Sequence, residues 1–236
     1  ALLLPLVIGS WKPLVSLGLL LAIWIVVTAI LNLRDRVKTT AGQLSLLRKL
    51  RMQSRSYYGM QLAHVGVAVF IVGVTLDTGN QAEQDVRMST GDTVSVGGYD
   101  FRMNGVREVP GPNYRAVRAE IEVSRNGNVM RTMYPEKRSY LSSGNAMTET
   151  AIDTGIFRDL YISLGEAVGS NAWSVRVHYK PFVNWIWGGA LLMALGGVLA
   201  VSDRRYALAA RKERLSQQAA QREAVPALAT ASAEKS

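Results

Sequence analysis

The sequence predicts a mixed fold, a multi-span α-helical membrane protein with an inserted β-rich domain, a barrel or a sandwich, on the extracytoplasmic side. Three observations lead to this fold class. Apolar residues are concentrated in three blocks, each about as long as the ~20 residues that cross a bilayer as a helix. The excess of Lys and Arg lies in short segments beside those blocks. The region between the last two blocks alternates between apolar and polar residues.

Three helical spans follow from these blocks. We predict spans over residues 13–33, 57–77 and 181–201, with Pro181 opening the last helix because the first turn needs no amide donor. Residues 1–9 are apolar too, but so short a helix rises only about 13 Å. We therefore expect them to be the end of a truncated transmembrane helix. The chain would then be a fragment of a larger protein or one polypeptide of a split one.

The basic charge predicts the sides of the membrane. Seven Lys/Arg accompany one acid between Arg34 and Arg55, and residues 202–236 hold seven against four. By the positive-inside rule, the loop 34–56 and the tail 202–236 are cytoplasmic, whereas the domain 78–180, whose charges balance, is periplasmic. The net charge of +9 is thus explained by membrane orientation, and we expect no nucleic-acid binding.

Two basic segments on the cytoplasmic side have further local predictions. Leu44, Leu47 and Leu50 have basic residues among them, which predicts an amphipathic helix lying on anionic lipid, with a solvated basic loop as the alternative. The tail is predicted to begin with a short surface helix and to end in a disordered segment of small and polar residues.

The domain between the second and third spans is predicted to be a compact β structure. Asn126-Gly127 separates two alternating runs, which predicts a tight hairpin, and WSVRVHYKP predicts a last strand leading into the third span. The sequence has no cysteine, which excludes disulfides, thiolate metal sites and cysteine nucleophiles. No local pattern suggests a Ser–His–Asp triad. We interpret the domain as a binding or docking module.

His64 and His178 are the only histidines, too few for a self-contained multi-histidine metal site. His178 alternates with Arg176 and Lys180 on one face of the predicted last strand, which favours an exposed surface histidine over a ligand contact. His64 stands inside the apolar block GMQLAHVGVAVFIVGVT, seven residues or about 10 Å beyond Tyr57. A polar side chain at such a position needs a partner.

The helix that carries His64 has two distinct faces. Gly59, Gly66 and Gly73 form a stripe turned well away from His64, which predicts the close approach of another helix. The face of His64 itself contains Tyr57, Met60, Gln61, Ala68, Ile71 and Thr75. The pattern leaves three roles open for His64: a hydrogen bond across a helix interface, a proton relay, and a haem iron ligand with small neighbours beside it.

The segments YYGMQLAHVGVAVFIVGVT and KPFVNWIWGGALLMALGGVLAVSDRRY, with the β-rich insert between them, are specific in combination. Together they resemble the C-terminal end of the F subunit family of the bacterial cytochrome c maturation machinery, the membrane-bound haem lyase component. The resemblance runs from about Gly9 to Arg214. It implies that His64 is an axial ligand of a stable haem b, whose second ligand is a transmembrane histidine outside this chain.

The same resemblance implies a function and a set of partners. The family attaches haem to the cysteine thiols of apocytochrome c outside the bacterial cytoplasmic membrane. The expected partners are the rest of the F subunit or a split partner chain, other maturation subunits, the holo-haem chaperone and apocytochrome c. The tryptophan-rich haem-handling segment of the family does not occur in these residues. We therefore expect this chain alone not to be catalytically competent.

Two competing interpretations remain open. In one, the chain is a non-catalytic membrane scaffold that presents a β domain, and His64 is a packed polar residue. In the other, it is part of a haem transporter, which would need a polar path through the helices. Beyond His64, Gln61 and Asn184, the predicted spans offer little to line one.

Overall fold

The computed structural model describes residues 12–39, 45–142, 146–169 and 171–203. This part of the chain contains the helices α1 (Pro13–Thr39), α2 (Leu46–Arg51), α3 (Arg55–Asn80) and α4 (Val183–Val201). It also contains ten strands: β1 (Ala82–Ser89), β2 (Thr93–Val96), β3 (Tyr99–Pro110), β4 (Tyr114–Arg125), β5 (Asn128–Met133), β6 (Glu136–Tyr140), β7 (Ala146–Glu149), β8 (Ala151–Thr154), β9 (Arg158–Ala167) and β10 (Ala172–Pro181). The predictions for residues 1–9 and for the tail beyond Asp203 lie outside the described residues.

Three helices, α1, α3 and α4, are long and apolar enough to cross a membrane. Helix α1 continues past residue 33 to Thr39, with Arg36 and Lys38 in its last turn, where cations interact favourably with the helix dipole. Between α1 and α3, α2 is only six residues long, and its Leu46 and Leu47 are exposed among basic side chains.

The described residues fall into two compact units. One contains the strands together with the N-terminal half of α1, the C-terminal half of α3 and the first turns of α4. The other contains the remaining parts of these three helices and the segment between α1 and α3.

The strands form two antiparallel sheets. One has the order β1-β10-β9-β8, and the other has the order β2-β3-β4-β6-β7, with β5 also paired to β4. Alternate residues of both sheets point into one shared core, in which Phe101 and Ile121 come from the larger sheet and Ile162 and Val177 from the smaller. Because the inner faces of two sheets pack on each other, the β-rich domain is a sandwich, one of the two predicted alternatives.

The predicted hairpin and last strand are both present. Asn126 and Gly127 have φ values of 52° and 77° between β4 and β5, the conformation that an Asn-Gly hairpin turn requires. Strand β10 covers the predicted last strand, with Val175 and Val177 buried and Arg176 exposed. The alternation is therefore the one that the sequence predicts.

The prediction that Pro181 opens the last helix is wrong. Pro181 is the last residue of β10, where it pairs with Arg158 of β9. A proline is tolerated at this end of the strand, because the sheet needs no hydrogen bond from an amide there. Phe182 then takes a left-handed φ of 58°, and α4 begins at Val183. The amide of Phe182 donates to the carbonyl of Phe157 over 2.9 Å, which helps to hold the left-handed conformation of Phe182.

A polar junction joins β9 to the first turn of α4. The buried Asp159 accepts hydrogen bonds from Asn184 Nδ2 at 2.9 Å, from the amide of Gly155 at 3.1 Å and from Tyr161 Oη at 3.2 Å. Burial, together with the Asp159 carboxylate, raises the pKa of Tyr161 above its ordinary value, so the phenol remains a donor. The carboxylate thus links strand, turn and helix at one point.

The larger sheet buries one carboxylate between two arginines. Glu136 accepts hydrogen bonds from Arg118 Nε at 2.6 Å and from Arg138 Nε at 2.8 Å, while both arginines remain partly exposed. Burial alone would raise the pKa of Glu136, but the hydrogen bonds from Arg138 and Arg118 hold it below its ordinary value. Because Arg118 lies in β4 and Glu136 lies in β6, their ion pair links the two strands.

Replacing Glu136 with Gln should lower the free energy of unfolding by about 1–3 kcal/mol at neutral pH, since it removes a charged acceptor and leaves two arginine donors. Thermal unfolding of the detergent-solubilised chain measures this effect. The exposed Glu149, 3.2 Å from Arg138, provides the control, and Glu149→Gln should cost less than about 1 kcal/mol.

The ion pairs of Glu136 with Arg118 and Arg138 predict that the stability of the fold depends on pH. Because the folded-state pKa of Glu136 is lowered, its contribution is fully present above the ordinary value of 4.5 and is lost as the pH falls through the folded-state pKa. The difference in the free energy of unfolding between wild type and Glu136→Gln should therefore become smaller on acidification below pH 4.5. A gap that stays constant would contradict the ion-pair interpretation.

Candidate functional site

A triangle of polar side chains lies between α1 and α3. Tyr57 Oη donates to Asn32 Oδ1 at 2.9 Å, and Gln61 Nε2 donates to both Asn32 Oδ1 at 3.2 Å and Tyr57 Oη at 2.8 Å. The Arg36 guanidinium stands 4.5 Å from the centre of the Tyr57 ring. These contacts fix the N-terminal end of α3 against α1 along the face that the sequence predicts for His64.

His64 lies one turn further along the same face of α3. Its Nδ1 is 2.7 Å from the main-chain oxygen of Met60, one turn back. A carbonyl only accepts hydrogen bonds, so Nδ1 must carry the proton and donate. In the neutral form of the ring, Nε2 then carries the lone pair, and the side chain is exposed in this chain. A neutral imidazole arranged in this way is able to ligate a metal through Nε2.

An open cleft of about 280 Å³ runs beside His64. Apart from Met60, the side chains that line it are small or polar, and they come from both helices: Thr28, Ala29, Asn32, Met60, Gln61 and His64. Ligand pockets in proteins usually measure ~300–1,000 Å³, so this cleft has room for one part of a large ligand rather than for all of it.

The opposite side of α3 is packed tightly against α4. A Cβ added at Gly59 would lie 2.5 Å from the main-chain oxygen of Gly196, and one added at Gly196 would lie 2.6 Å from the main-chain oxygen of Gly59. Further along α3, a Cβ at Gly73 would lie 2.8 Å from the amide nitrogen of Ile186. For Gly59 and Gly73, the close helix approach predicted from the glycine stripe is confirmed.

Helix α3 therefore contacts protein on two sides, as the sequence predicts. Its glycines contact α4, and its polar face contacts α1 through Tyr57 and Gln61. The predicted alternative that His64 bonds to a neighbouring helix is not what the structure shows. Within the described ranges its hydrogen bond is the one to Met60, on its own helix.

The second histidine lies in the sandwich. His178 pairs with Glu83 in the register of β10 and β1, and its Nδ1 is 3.4 Å from a Glu83 carboxylate oxygen. Its side chain is 24% exposed. The sequence therefore predicts the correct face of the strand for His178 but a more exposed position than the structure shows. Among the described residues, no three side chains of the metal-binding types are close enough to hold an ion together.

Sequence reasoning missed the partner of His64, because a main-chain carbonyl leaves no trace in the pattern of side chains. It also missed Asn32, whose distance from the His64 block along the chain hides the contact with Tyr57 and Gln61. The spacing of Tyr57 and Gln61, four residues apart on a helix, is the signal that marks a shared polar face.

Comparison with known proteins identifies the family of the sandwich. The model of the family described as the CcmF C-terminal beta-sandwich matches residues 79–181. Those residues form a CcmF-type C-terminal β-sandwich.

Relatives extend this similarity into the helices. The chain is 48% identical over 187 residues to the cytochrome c-type biogenesis protein CcmF of Pseudomonas aeruginosa, covering 79% of this chain and 28% of the relative. It is 46% identical over 213 residues to the CcmF of Escherichia coli, covering 89% of this chain and 30% of the relative. The chain thus spans about three tenths of the length of the curated relatives it matches, their C-terminal part.

A solved structure described as cytochrome c heme lyase CcmF has the same fold. It matches 83% of this chain and 32% of its own, with a TM-score of 0.64 and 21% identity. The family model and the two relatives confirm the resemblance to the F subunit family that the sequence motifs indicated.

Two neighbouring glycines of α4 allow a matched test of the close packing between α3 and α4. Gly196→Ala should destabilise the chain, because the added Cβ meets the backbone of Gly59 and Ala63. Gly197→Ala should be neutral or stabilising by up to about 1 kcal/mol, because a Cβ there meets nothing within 4 Å and alanine favours helix. Thermal unfolding in detergent measures both. Equal effects of the two substitutions would show that the close approach does not determine stability.

Proposed function

We propose that the chain is the C-terminal part of a membrane haem lyase component, which attaches haem covalently to apocytochrome c, and that His64 is an axial ligand of a haem b. The names of the relatives and of the solved structure support the first part. The hydrogen bond from His64 Nδ1 to the Met60 carbonyl supports the second, because it leaves Nε2 available for iron.

The residues present fit such a ligand in part. Thr28 and Ala29 are small and leave room beside the imidazole, while Asn32 and Gln61 form a polar wall on the same cleft. The cleft is too small for a whole macrocycle. The remaining contacts and the second axial ligand would come from outside this chain, from the rest of the F subunit or from a split partner chain.

The chain's own residues would position the ligating nitrogen. Met60 orients the imidazole through its carbonyl, and the contacts of Gly59 and Gly196 fix the rotation of α3 about its axis. When bound, the haem would supply a one-electron couple able to keep the iron of delivered haem reduced. The role of the protein in that step is to hold the His64 ring in a fixed orientation on the cleft.

We further propose that α1, α3 and α4 span the bacterial cytoplasmic membrane. The Lys/Arg excess in residues 34–56 and 202–236 supports a cytoplasmic side for both segments, which makes the sandwich, within residues 78–180, periplasmic. The length and hydropathy of the three helices support the spans.

A periplasmic sandwich would be placed to contact the holo-haem chaperone, apocytochrome c or other maturation subunits. Its neutral charge balance and the absence of a nucleophile–base pattern in its sequence favour docking over catalysis. By this proposal the chain contributes a haem ligand and a docking surface to the lyase, and it does not carry out the reaction alone.

Replacing His64 with Ala should abolish a low-spin b-type signal in reduced-minus-oxidised spectra. The chain would be co-expressed with the membrane segments that precede it in its relatives and purified in detergent. The expectation follows from the loss of the only imidazole on the cleft. His178→Ala is the matched control and should leave the spectrum unchanged, because His178 lies in the sandwich beside Glu83.

An unchanged spectrum in His64→Ala, or a wild type without haem, would return His64 to a packing role. The non-catalytic scaffold would then be the better interpretation of these helices.

Deleting the sandwich, residues 82–180, tests the docking role. Co-purification with the holo-haem chaperone should be lost, while the b-type spectrum should be retained, because the residues lining the cleft come from α1 and α3. Chaperone association that survives the deletion would contradict the docking role, whatever the spectrum shows.

A further inference from the structure

The turn between β8 and β9 presents two large apolar side chains to the outside. Ile156 is 72% exposed and Phe157 is 58% exposed, and the segment 154–157 contains no charged residue. Nearby on α4, Trp187 is 68% exposed. Side chains of this size are seldom left in water side by side without a reason.

Three hydrogen bonds fix this turn to the beginning of α4. Trp185 Nε1 donates to the carbonyl of Ile156 at 3.0 Å, and Asn184 Nδ2 donates to the carbonyl of Gly155 at 2.7 Å. The amide of Phe182 donates to the carbonyl of Phe157 at 2.9 Å. The turn is therefore attached to the first turn of the helix by hydrogen bonds.

Aromatic contacts reinforce this attachment. The ring centroids of Phe157 and Phe182 are 5.8 Å apart, those of Phe182 and Trp185 are 5.4 Å apart, and those of Phe157 and Trp185 are 6.2 Å apart. The indole N–H of Trp185 is already satisfied, so the cluster combines apolar faces with a paired polar group. Aromatic side chains of this kind prefer the boundary between lipid and water.

We propose that Ile156 and Phe157 insert into the outer interfacial region of the bilayer beside α4 and anchor the sandwich to the membrane surface. The inference rests on the proposed membrane placement of α4. A helix that enters the bilayer at Val183 carries the residues bonded to its first turn into the headgroup region. The uncharged, apolar character of the turn matches that environment.

The absence of cysteine from the sequence allows a direct test by single nitroxide labels. Ile156→Cys, Val129→Cys and Leu195→Cys would each be labelled in the full chain. The chain would be reconstituted in vesicles of phosphatidylcholine with a minor fraction of phosphatidylglycerol. Power saturation compares collisions with oxygen, which is enriched in lipid, and with a neutral nickel chelate, which is enriched in water. All three side chains are exposed, so the substitutions should not disturb the fold.

Val129 of β5, 60% exposed, is the control for an apolar sandwich position, and Leu195 of α4, 58% exposed, is the control for lipid. The oxygen-to-nickel ratio at position 156 should be several-fold higher than at 129 and lower than at 195. Such an intermediate value would place the turn in the interface.

Two results would overturn the proposal while leaving the membrane placement of α4 intact. In the first, position 195 reports lipid and position 156 reports water, as 129 does. In the second, position 156 is inaccessible to both reagents, which would mean that protein covers the turn. A ratio at 195 as low as at 129 would instead refute the membrane placement itself, and the interfacial insertion with it.

Discussion

The helical part of this chain depends on the contact between the backbones of α3 and α4. Because Gly59 and Gly196 have no side chains, the two helices approach until only main-chain atoms separate them. That contact occupies one side of α3 at Gly59 and therefore influences which side remains for other partners. The polar face with Tyr57, Gln61 and His64 is left toward α1.

The sandwich depends on a different constraint, the strict alternation of its strands. Val175 and Val177 point inward only if Arg176 and His178 point outward. The register of β10 against β1 and β9 therefore determines which side chains of the smaller sheet enter the core. The end of that strand is then secured by Asp159, which accepts hydrogen bonds from a strand residue, a turn amide and the first turn of α4. A single buried carboxylate thus connects the sheet to the helix.

Much of this arrangement could be predicted from the sequence, for identifiable reasons. The helices follow from long apolar blocks, the hairpin from Asn126-Gly127 and the last strand from alternation, all of which are local signals. The glycine stripe predicted the close helix approach because spacing along one helix is enough to define a face. The motif around His64 and the one in the last helix were enough to indicate the family.

The features that sequence reasoning missed are non-local or belong to the main chain. The missing amide of Pro181 suits the first turn of a helix and so predicts a helical position, but pairing with β9 keeps the residue in the strand. The left-handed Phe182 and the contact between Asn32 and Tyr57 depend on distant segments that meet only after folding. For His64, the pattern identifies the residue, whereas the main-chain oxygen that orients its ring is visible only in the folded structure.

That orienting atom has an evolutionary consequence. The acceptor for His64 Nδ1 is the carbonyl of residue 60, a group that every amino acid possesses. Mutation at position 60 can therefore exchange the thioether for another helix-compatible side chain without deleting the hydrogen bond. Substitutions at position 60 that keep the helix should therefore leave the orientation of the imidazole unchanged. The helix itself, rather than any chosen side chain, encodes the geometry.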